Sequence, residues 1–351
     1  MWYEPLLENG LIPDVALRAG IRRQLRARLR QQRQGAASHP LEAFVDDLRR
    51  GPIATHTDAA NSQHYEVPSD FYRLVLGPRW KYSSGYWQGD DNDLASSELS
   101  MLELYVERAR LEGSERILDL GCGWGSLSLF LAERFPRARI VAVSNSATQK
   151  AHIDTSASSR GFDNLEVVTA DINGFTPNKR FDRVLSIEMF EHMSNFHSLL
   201  QRIAGWLDPG GLLFVHHFAH RDLAYPFEAG AASEWMAKHF FSGGIMPSAD
   251  LLDRFPDHMG VVERWHVNGR HYQRTCEAWL ERLGENRVAV LDLLADAYGP
   301  DQARKHFNYW RIFFMACAEL FGYRRGSEWS VVHSLLAPRP QHGENTGDPA
   351  P

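Results

Sequence analysis

Cysteine is scarce in this sequence, whose 351 residues include only Cys122, Cys276 and Cys317. Their odd number and wide spacing argue against a disulfide framework, which uses cysteines in pairs. They also lack the close pairs that ligate structural zinc, so no metal site is expected. Such cysteine usage is typical of proteins in a reducing compartment, and the sequence therefore predicts a cytoplasmic protein.

Long apolar runs are also missing. No segment approaches the roughly 20 apolar residues that a membrane-spanning helix needs. The first residues, MWYEPLLENGLIPDV, contain acidic side chains and no apolar core of signal-peptide length. The formal net charge of −6 argues against general nucleic-acid binding, which usually needs a basic face. These absences predict a soluble intracellular protein that binds no nucleic acid.

One segment departs from this acidic average. In LRAGIRRQLRARLRQQRQ, leucine or isoleucine recurs at steps of four, which predicts a helix with one apolar stripe. The stripe consists of Leu17, Ile21, Leu25 and Leu29. Arginines crowd the remaining surface at Arg18, Arg22, Arg23, Arg26, Arg28, Arg30 and Arg33. This pattern fits either a docked helix with a solvated basic face or a surface that contacts anionic lipid.

From Arg116 onward, short apolar runs alternate with helical segments. The predicted strands are RILDL, RIVAV, LEVVT, DRVLSI and GLLFVHH. Their spacing fits βαβ units, and their near-continuous apolar character fits a parallel sheet that is covered on both faces. A last run, WSVVHSLL, is predicted to form an edge strand. We therefore expect an α/β fold, one doubly wound domain with helical additions over its binding end.

A glycine-rich turn follows the first predicted strand. In LDLGCGWGSL, Gly121, Gly123 and Gly125 stand at alternate positions, where they let backbone N–H groups approach a ligand. A dinucleotide fingerprint would have a third glycine at the position of Ser126. Asp119 lies inside the strand end, where its carboxylate is placed to hold an ammonium group or a water molecule.

Polar side chains follow the next two strands at the same edge of the sheet. Ser144, Asn145 and Gln149 lie in or beside SNSATQ and can hydrogen-bond ribose hydroxyls. Asp171 of TADI can accept a hydrogen bond from an adenine amino group. Ligands of open α/β folds bind at this edge, so the sequence predicts a bound nucleoside without phosphates.

These motifs carry a specific resemblance. LDLGCGWGSLSLFLA, SNSATQKAHI, ADI and SIEMFEHM together resemble the cyclopropane-fatty-acid synthase superfamily of S-adenosylmethionine-dependent methyltransferases. Within it, the sequence is most similar to the coclaurine N-methyltransferase branch, through LIPDVALRAGIRRQLRARL, HYEVPSDFYRLVLG, KYSSGYW, FSGGIMPS, VNGRHYQRT and YWRIFFMACAELFGY. The resemblance extends over nearly the whole chain. It implies a class I methyltransferase (Rossmann-like) fold, a seven-stranded and mostly parallel sheet with an N-terminal helical segment and a helical cap.

The expected organisation has three regions. Residues 1–75 form the N-terminal helical segment, and residues 76–336 form the methyltransferase domain. Cap insertions occupy about 221–325 of that domain, and residues 337–351 form a disordered tail.

The resemblance also implies S-adenosylmethionine as the methyl donor. It places Tyr82 and Ser83 near the methionine end of this cofactor and Ile187 where the fourth strand meets it. Asn145 and Gln149 correspond to ribose contacts. Together with Asp119, the expected cofactor-binding residues are Tyr82, Ser83, Gly121, Gly123, Asn145, Gln149, Asp171, Ile172 and Ile187.

The octapeptide SIEMFEHM ends the fourth predicted strand and brings Glu188, Glu191 and His192 together. A methyl acceptor would have to sit at this strand end. An amine acceptor arrives mostly as ammonium, which carboxylates attract and from which a nearby base can take the proton. The alternative is that the acids stabilise a helix N-terminus. We expect Glu188 and Glu191 to bind the ammonium group and His192 to accept its proton.

The cyclopropane synthases supply a rival interpretation, the modification of unsaturated lipid chains. By the resemblance, a bicarbonate ion is their base, and two of its holders match Glu191 and His216. The third holder is a tyrosine of a late helix, where this chain has Ile312 and Phe313. Tyr309 lies one turn earlier and is the candidate substitute.

Two further positions bear on the choice between amine and lipid. Cyclopropane synthases have glycine where this chain has Glu188, whose additional carboxylate suits a cationic substrate. Cys317 matches a cysteine assigned a catalytic role in the superfamily, although a cysteine in an apolar helix is also typical of core packing. The sequence therefore predicts N-methylation of a small cyclic or aromatic amine. Lipid modification, with the basic helix on the membrane, and cofactor binding without catalysis are the alternatives.

Overall fold

A seven-stranded sheet forms the centre of the protein, for which a computed structural model describes residues 4–38, 41–55, 68–89, 93–227 and 244–340. A two-stranded ribbon lies beside it. The strands are β1 (Arg116–Leu120), β2 (Arg139–Ser144), β3 (Leu165–Thr169), β4 (Phe181–Ile187), β5 (Leu207–His220), β6 (Tyr225–Pro226), β7 (Ile245–Met246), β8 (Met259–Val267) and β9 (Trp329–Pro338).

The sheet has the strand order β3-β2-β1-β4-β5-β9-β8. Strands β1 to β5 run parallel to one another, and β9 pairs antiparallel with both β5 and β8. This confirms the predicted α/β fold with a seven-stranded, mostly parallel sheet. All five strands predicted between residues 116 and 217 are present.

The prediction of WSVVHSLL as an edge strand is wrong. This segment is β9, which is hydrogen-bonded on both sides and almost entirely buried. The edge is formed by β8, whose half-buried side chains include Glu263 and Arg264. A strand with one solvent-exposed face has no continuous apolar run, and the sequence pattern therefore did not identify β8.

Helices cover both faces of the sheet and one end of it. In chain order they are α1 (Glu4–Glu8), α2 (Asp14–Ser38), α3 (Leu41–Asp47), α4 (Ser69–Val75), α5 (Leu94–Arg108), α6 (Ser126–Arg134), α7 (Ala147–Ser159), α8 (Phe196–Trp206), α9 (Gly269–Glu285), α10 (Arg287–Tyr298) and α11 (Pro300–Gly322). Helices α9 and α11 pack on each other, and α11 also contacts α1 and α2. The region predicted as the cap, about 221–325, contains α9, α10 and α11, and its role as a cap stays a prediction. Most of the predicted disordered tail, residues 341–351, lies outside the described residues.

The arginine-rich helix α2 docks on α9 and α11. Arg18 forms an ion pair with Glu277 at 2.6 Å and also contacts Glu319, which Arg22 binds as well. Arg33 pairs with the fully buried Glu328 at 2.7 Å. Arg23, Arg26 and Arg30 are exposed. The helix is therefore a docked element with a solvated basic face, and its contact with a membrane stays a prediction.

None of the helices in 4–38, 41–55, 68–89, 93–227 and 244–340 combines the length and apolar character needed to cross a lipid bilayer. Cytoplasmic location stays a prediction.

Candidate active site

The carboxyl ends of β1 to β4 open onto two adjoining cavities. The larger, of about 490 Å³, extends from the glycine turn to the underside of α2 and to α9 and α11. The smaller, of about 140 Å³, lies between the ends of β2 and β3. All of the predicted cofactor-binding residues line one or both cavities. Their binding roles remain predictions, but the fold brings them to one place.

The glycine turn shapes the floor of both cavities. Gly121 (φ +82°) and Gly123 (φ +52°) adopt the left-handed conformation that glycine allows at little cost. A Cβ atom on Gly121 would lie 2.9 Å from the side chain of Met189. At Gly123, a Cβ atom would meet no atom within 4 Å, because it would project into open space. The turn therefore leaves room for a ligand directly against its backbone.

Replacing Gly123 with alanine is expected to weaken cofactor binding roughly tenfold, since a loss of about 1.4 kcal/mol gives this factor. The new methyl group would enter the space where the backbone can approach a ligand. Isothermal titration calorimetry with S-adenosylhomocysteine measures this effect.

The matched control is Gly161→Ala. Gly161 also has a positive φ, +71°, and open space around it, but it lines neither cavity. Both alanines should lower the free energy of unfolding by about 1–2 kcal/mol, because both strain the backbone. If the two variants bound S-adenosylhomocysteine equally well, Gly123 would not contact the cofactor.

Buried polar atoms without partners face the larger cavity. Gln149 accepts a hydrogen bond from the Ser144 hydroxyl at 2.6 Å through Oε1, while its Nε2 has no partner among the residues that the structure describes. Trp124 Nε1 and Ser126 Oγ are also buried and have no hydrogen-bond partner among those residues. Buried donors are rarely left unsatisfied. These three therefore fit a ligand that carries oxygen acceptors, such as ribose hydroxyls or a carboxylate.

The remaining predicted cofactor residues line different parts of the cavities. Asn145, Asp171 and Ile172 line the smaller cavity, and the Asp171 carboxylate accepts from the Asn173 N–H at 2.7 Å. Asp119 is buried at the floor of the larger cavity, where burial raises its pKa to about 6. The other members of the set in the larger cavity are Tyr82, Ser83 and Ile187.

Glu188, like Asp119 at the floor, is a carboxylate that lines the larger cavity. It follows β4 with a φ of +50°, a conformation that costs a non-glycine residue energy and often marks a functional site. Its Oε1 accepts hydrogen bonds from the Ser84 N–H at 3.1 Å and from His216 Nε2 at 3.0 Å. Its Oε2 accepts from the Tyr272 hydroxyl at 2.6 Å. Three donors from three elements thus aim this carboxylate into the cavity.

The three ionisable residues of SIEMFEHM, Glu188, Glu191 and His192, differ in their electrostatic environment. Burial raises the pKa of Glu188, and the nearby Lys81 ammonium opposes that rise. Burial lowers the pKa of His192, which lines both cavities, and the imidazole is therefore neutral and able to accept a proton at neutral pH.

Glu191 lies in a different environment from Glu188. It is fully buried and does not line the larger cavity. Its Oε1 accepts from the Phe218 N–H at 2.7 Å, and its Oε2 has no partner within the described ranges. Burial, and then the charge of Glu188, raise its pKa well above the usual range. Glu191 is therefore placed as a neutral acid behind the site, and the catalytic role predicted for it stays untested.

Two further residues of the sequence analysis are placed by helix α11. Cys317 lines the larger cavity beside Cys276, which shares a hydrogen bond with it. The hydroxyl of Tyr309 does not line that cavity and instead donates to Glu8 of α1 at 2.9 Å. Tyr309 is thus turned away from the position in which it would substitute for a bicarbonate-binding tyrosine.

Sequence reasoning missed several polar residues of this site, namely Lys81, Tyr105, Tyr272 and His333. They belong to separate elements that only folding brings together. Lys81 and Tyr272 carried a usable signal, because they stand in the KYSSGYW and VNGRHYQRT motifs. The Lys81 ammonium group is buried, and burial lowers its pKa to about 8.

Comparisons with known proteins find a matching family and proteins of similar sequence and fold. Residues 54–329 match the family model described as mycolic acid cyclopropane synthetase. (S)-Coclaurine N-methyltransferase of Thalictrum flavum subsp. glaucum is 38% identical over 94% of this chain and 93% of its own. Cyclopropane-fatty-acyl-phospholipid synthase of Escherichia coli (strain K12) is 29% identical over 78% of this chain and 66% of its own. A crystal structure of coclaurine N-methyltransferase bound to N-methylheliamine and SAH is similar with a TM-score of 0.91 and 36% identity, covering 95% of this chain and 98% of that one.

Proposed function

The chain belongs to the mycolic acid cyclopropane synthetase family, and we propose that it is an S-adenosylmethionine-dependent methyltransferase acting on the nitrogen of a small cyclic or aromatic amine. The observation that carries the proposal is Glu188, a carboxylate aimed into an otherwise largely apolar cavity. A buried carboxylate there attracts a cation and offers nothing to a neutral alkene. The curated relatives named coclaurine N-methyltransferase support the same assignment.

The residues present fit the cofactor. Gln149, Trp124 and Ser126 supply buried donors for its ribose and carboxylate, and Gly123 leaves room against the backbone. Asn145, Asp171 and Ile172 would hold the nucleoside in the smaller cavity. S-Adenosylmethionine supplies the electrophilic methyl group when it is bound.

The side chains of the larger cavity provide the other requirements of amine methylation. Glu188 binds and orients the ammonium group, and His192 takes up its proton so that the nitrogen gains a lone pair. The apolar side of α2, together with aromatic residues of α11 such as Phe313 and Phe321, walls the cavity against water. Aromatic faces also suit a cation and a flat substrate.

The decisive experiment measures the formation of S-adenosylhomocysteine by purified protein. A panel of cyclic and aromatic amines is compared with vesicles of unsaturated phospholipid. We expect turnover with amines that rises as the pH approaches the pKa of the amine. Because the pKa of His192 is lowered, its base form is already present at neutral pH and does not limit this rise. Turnover with vesicles alone would show lipid modification, and cofactor binding without any turnover would show a non-catalytic protein.

Two tyrosine-to-phenylalanine replacements test which tyrosine serves the site. Tyr272→Phe removes the 2.6 Å hydrogen bond to Glu188 and should raise KM for the amine about tenfold, since a hydrogen bond to a charged group contributes roughly 1.5–3 kcal/mol. Tyr309→Phe removes the hydroxyl that donates to Glu8, away from the larger cavity, and should leave steady-state kinetics unchanged. A larger loss of turnover in Tyr309→Phe would instead favour a site of the cyclopropane synthase type.

A further inference from the structure

A line of hydrogen bonds leads from helix α5 to Glu188 through two buried histidines. Arg108 Nη1 lies 2.7 Å from His333 Nδ1, and His333 Nε2 lies 3.0 Å from His216 Nδ1. His216 Nε2 completes the line, 3.0 Å from Glu188 Oε1. The two histidines stand directly opposite each other in the antiparallel pair β5–β9. Both are fully buried.

The first residue of this line determines where every proton lies. A guanidinium group only donates hydrogen bonds, so His333 Nδ1 must accept from Arg108. His333 therefore carries its proton on Nε2 and donates to His216 Nδ1. His216 in turn carries its proton on Nε2 and donates to the Glu188 carboxylate. Burial lowers the pKa of both histidines well below the usual range, which keeps each of them neutral with one ring proton.

A second cation reaches the same histidine from another side. Lys81 Nζ donates to the Tyr105 hydroxyl at 2.9 Å, and this hydroxyl lies 2.8 Å from His216 Nδ1. Because His216 Nδ1 carries no proton, the Tyr105 hydroxyl is a donor to it. The Tyr105 contact is thus compatible with the tautomer of His216 that Arg108 sets through His333.

As a result, the Glu188 carboxylate accepts hydrogen bonds from its neighbours and donates none. Hydrogen bonds donated to a carboxylate favour its charged form. The titratable and charged groups that face Glu188 from the surrounding elements are Lys81, Tyr105, Glu191, His192, His216, Tyr272 and Cys276. Burial is the largest effect and opposes the charged form, as Glu191 would if ionised, whereas Lys81, Tyr272 and His192 favour it.

We propose that Arg108 and His333 are positioning residues for the methyl acceptor: through His216 they hold Glu188 as a charged carboxylate directed at the cavity. The inference rests on the proposed function, since a charged carboxylate there serves to bind a cationic amine. Without His333, His216 can place its proton on Nδ1 and donate it to Tyr105. Its unprotonated Nε2 would then face Glu188, which could keep the contact only as the neutral acid and would lose its attraction for ammonium.

The tautomers can be observed without any turnover. Nitrogen-15 NMR of histidine-labelled protein reports which ring nitrogen carries the proton, and the His333→Gln and His216→Gln variants assign the signals. We expect the proton on Nε2 of both histidines in the unaltered protein around neutral pH. In Arg108→Met, which keeps an unbranched apolar stem without the guanidinium donors, the His333 signal should shift towards the other tautomer. A proton on Nδ1 of His216 in the unaltered protein would overturn the proposal.

Kinetics test the consequence for Glu188. In Arg108→Met and His333→Phe, the acidic limb of the pH profile of kcat/KM for an amine should shift to higher pH by about one unit. The reason is that the charged carboxylate of Glu188 loses donated hydrogen bonds, which raises its pKa. Arg108→Lys and His333→Gln retain a donor and should keep the limb near its original position. A purely structural role would not produce this rescue.

Arg160→Met is the matched control. Arg160 also stacks on an aromatic ring, Phe162, as Arg108 does on Trp265, and it pairs with Glu133 away from this line of hydrogen bonds. Its pH profile should be that of the unaltered protein. An unshifted limb in Arg108→Met, with amine turnover intact, overturns the positioning role and leaves the proposed function standing. The expected tautomers with no methylation of any amine would instead overturn the proposed function and support the placement of Glu188 alone.

Discussion

Replacing Glu188 with glutamine is expected to lower kcat/KM for an amine by roughly 10²–10³-fold, because removing one member of a buried charge pair costs about 2–5 kcal/mol. Glutamine has nearly the same shape, and its carbonyl oxygen can still accept from His216 and Ser84. The variant therefore removes the charge while the packing remains. Initial rates of S-adenosylhomocysteine formation over a range of amine concentrations measure the loss.

The same change at Glu191 is the comparison for this prediction. Glu191 is buried and its raised pKa makes it a neutral acid, which glutamine imitates, so Glu191→Gln should lose less than about tenfold. Both variants should bind S-adenosylhomocysteine with the affinity of the unaltered protein. Equal losses in the two variants would mean that both carboxylates act on the ammonium group, as the sequence pattern suggests. Full activity in Glu188→Gln would remove the main support for an amine substrate.

Replacing His192 with glutamine should lower kcat by roughly 10²-fold or more, the usual contribution of a general base. Burial lowers the pKa of His192, so its neutral form predominates above that pKa and is available throughout the neutral range. Glutamine retains hydrogen-bonding capacity but cannot accept the proton. Single-turnover measurements with saturating amine separate this effect from substrate binding.

The pH dependence gives a second measure of the same role. In the variant, the remaining activity should depend more steeply on the free-base fraction of the amine, since no side chain removes the proton after binding. His306→Gln is the matched control, because His306 is half-buried, also has a pKa lowered by burial, and stacks on Tyr298, and neither of these two residues lines the larger cavity. Similar losses in the two variants would indicate that His192 supports the fold and does not handle the proton.

The different environments of Glu188 and Glu191 explain how one short motif can carry two tasks. Glu188 receives three donated hydrogen bonds and faces the cavity, whereas Glu191 receives one and is enclosed. Carboxyl groups placed in such unequal surroundings titrate apart, which is a recurrent way to assign charge within a site. In the proposed function, the charged form of Glu188 attracts the substrate, and burial that favours the neutral form of Glu191 limits like-charge repulsion behind it.

The sequence by itself determined the sheet and the location of the site. Strands β1 to β5 are short apolar runs at βαβ spacing, and a parallel sheet places their carboxyl ends together. The residues of the glycine turn and of SIEMFEHM therefore had to meet at one edge. These features are local in the chain, and their pattern is visible because burial on both faces of a strand requires an apolar run.

Only the tertiary structure decided which side chains face the cavity and which stand behind it. Strand alternation cannot tell which way Glu188 and Glu191 point, because the extended conformation ends with β4. Glu188, the next residue, adopts a left-handed conformation. The partners Tyr272, His333 and Arg108 come from elements far apart in the sequence, and no periodicity relates them to Glu188. Likewise, β9 is an inner strand because it pairs with β5 on one side and with the earlier strand β8 on the other, which its own composition cannot reveal. Local patterns arise from burial of each segment, whereas the charge of a buried group depends on donors that long-range packing alone brings to it.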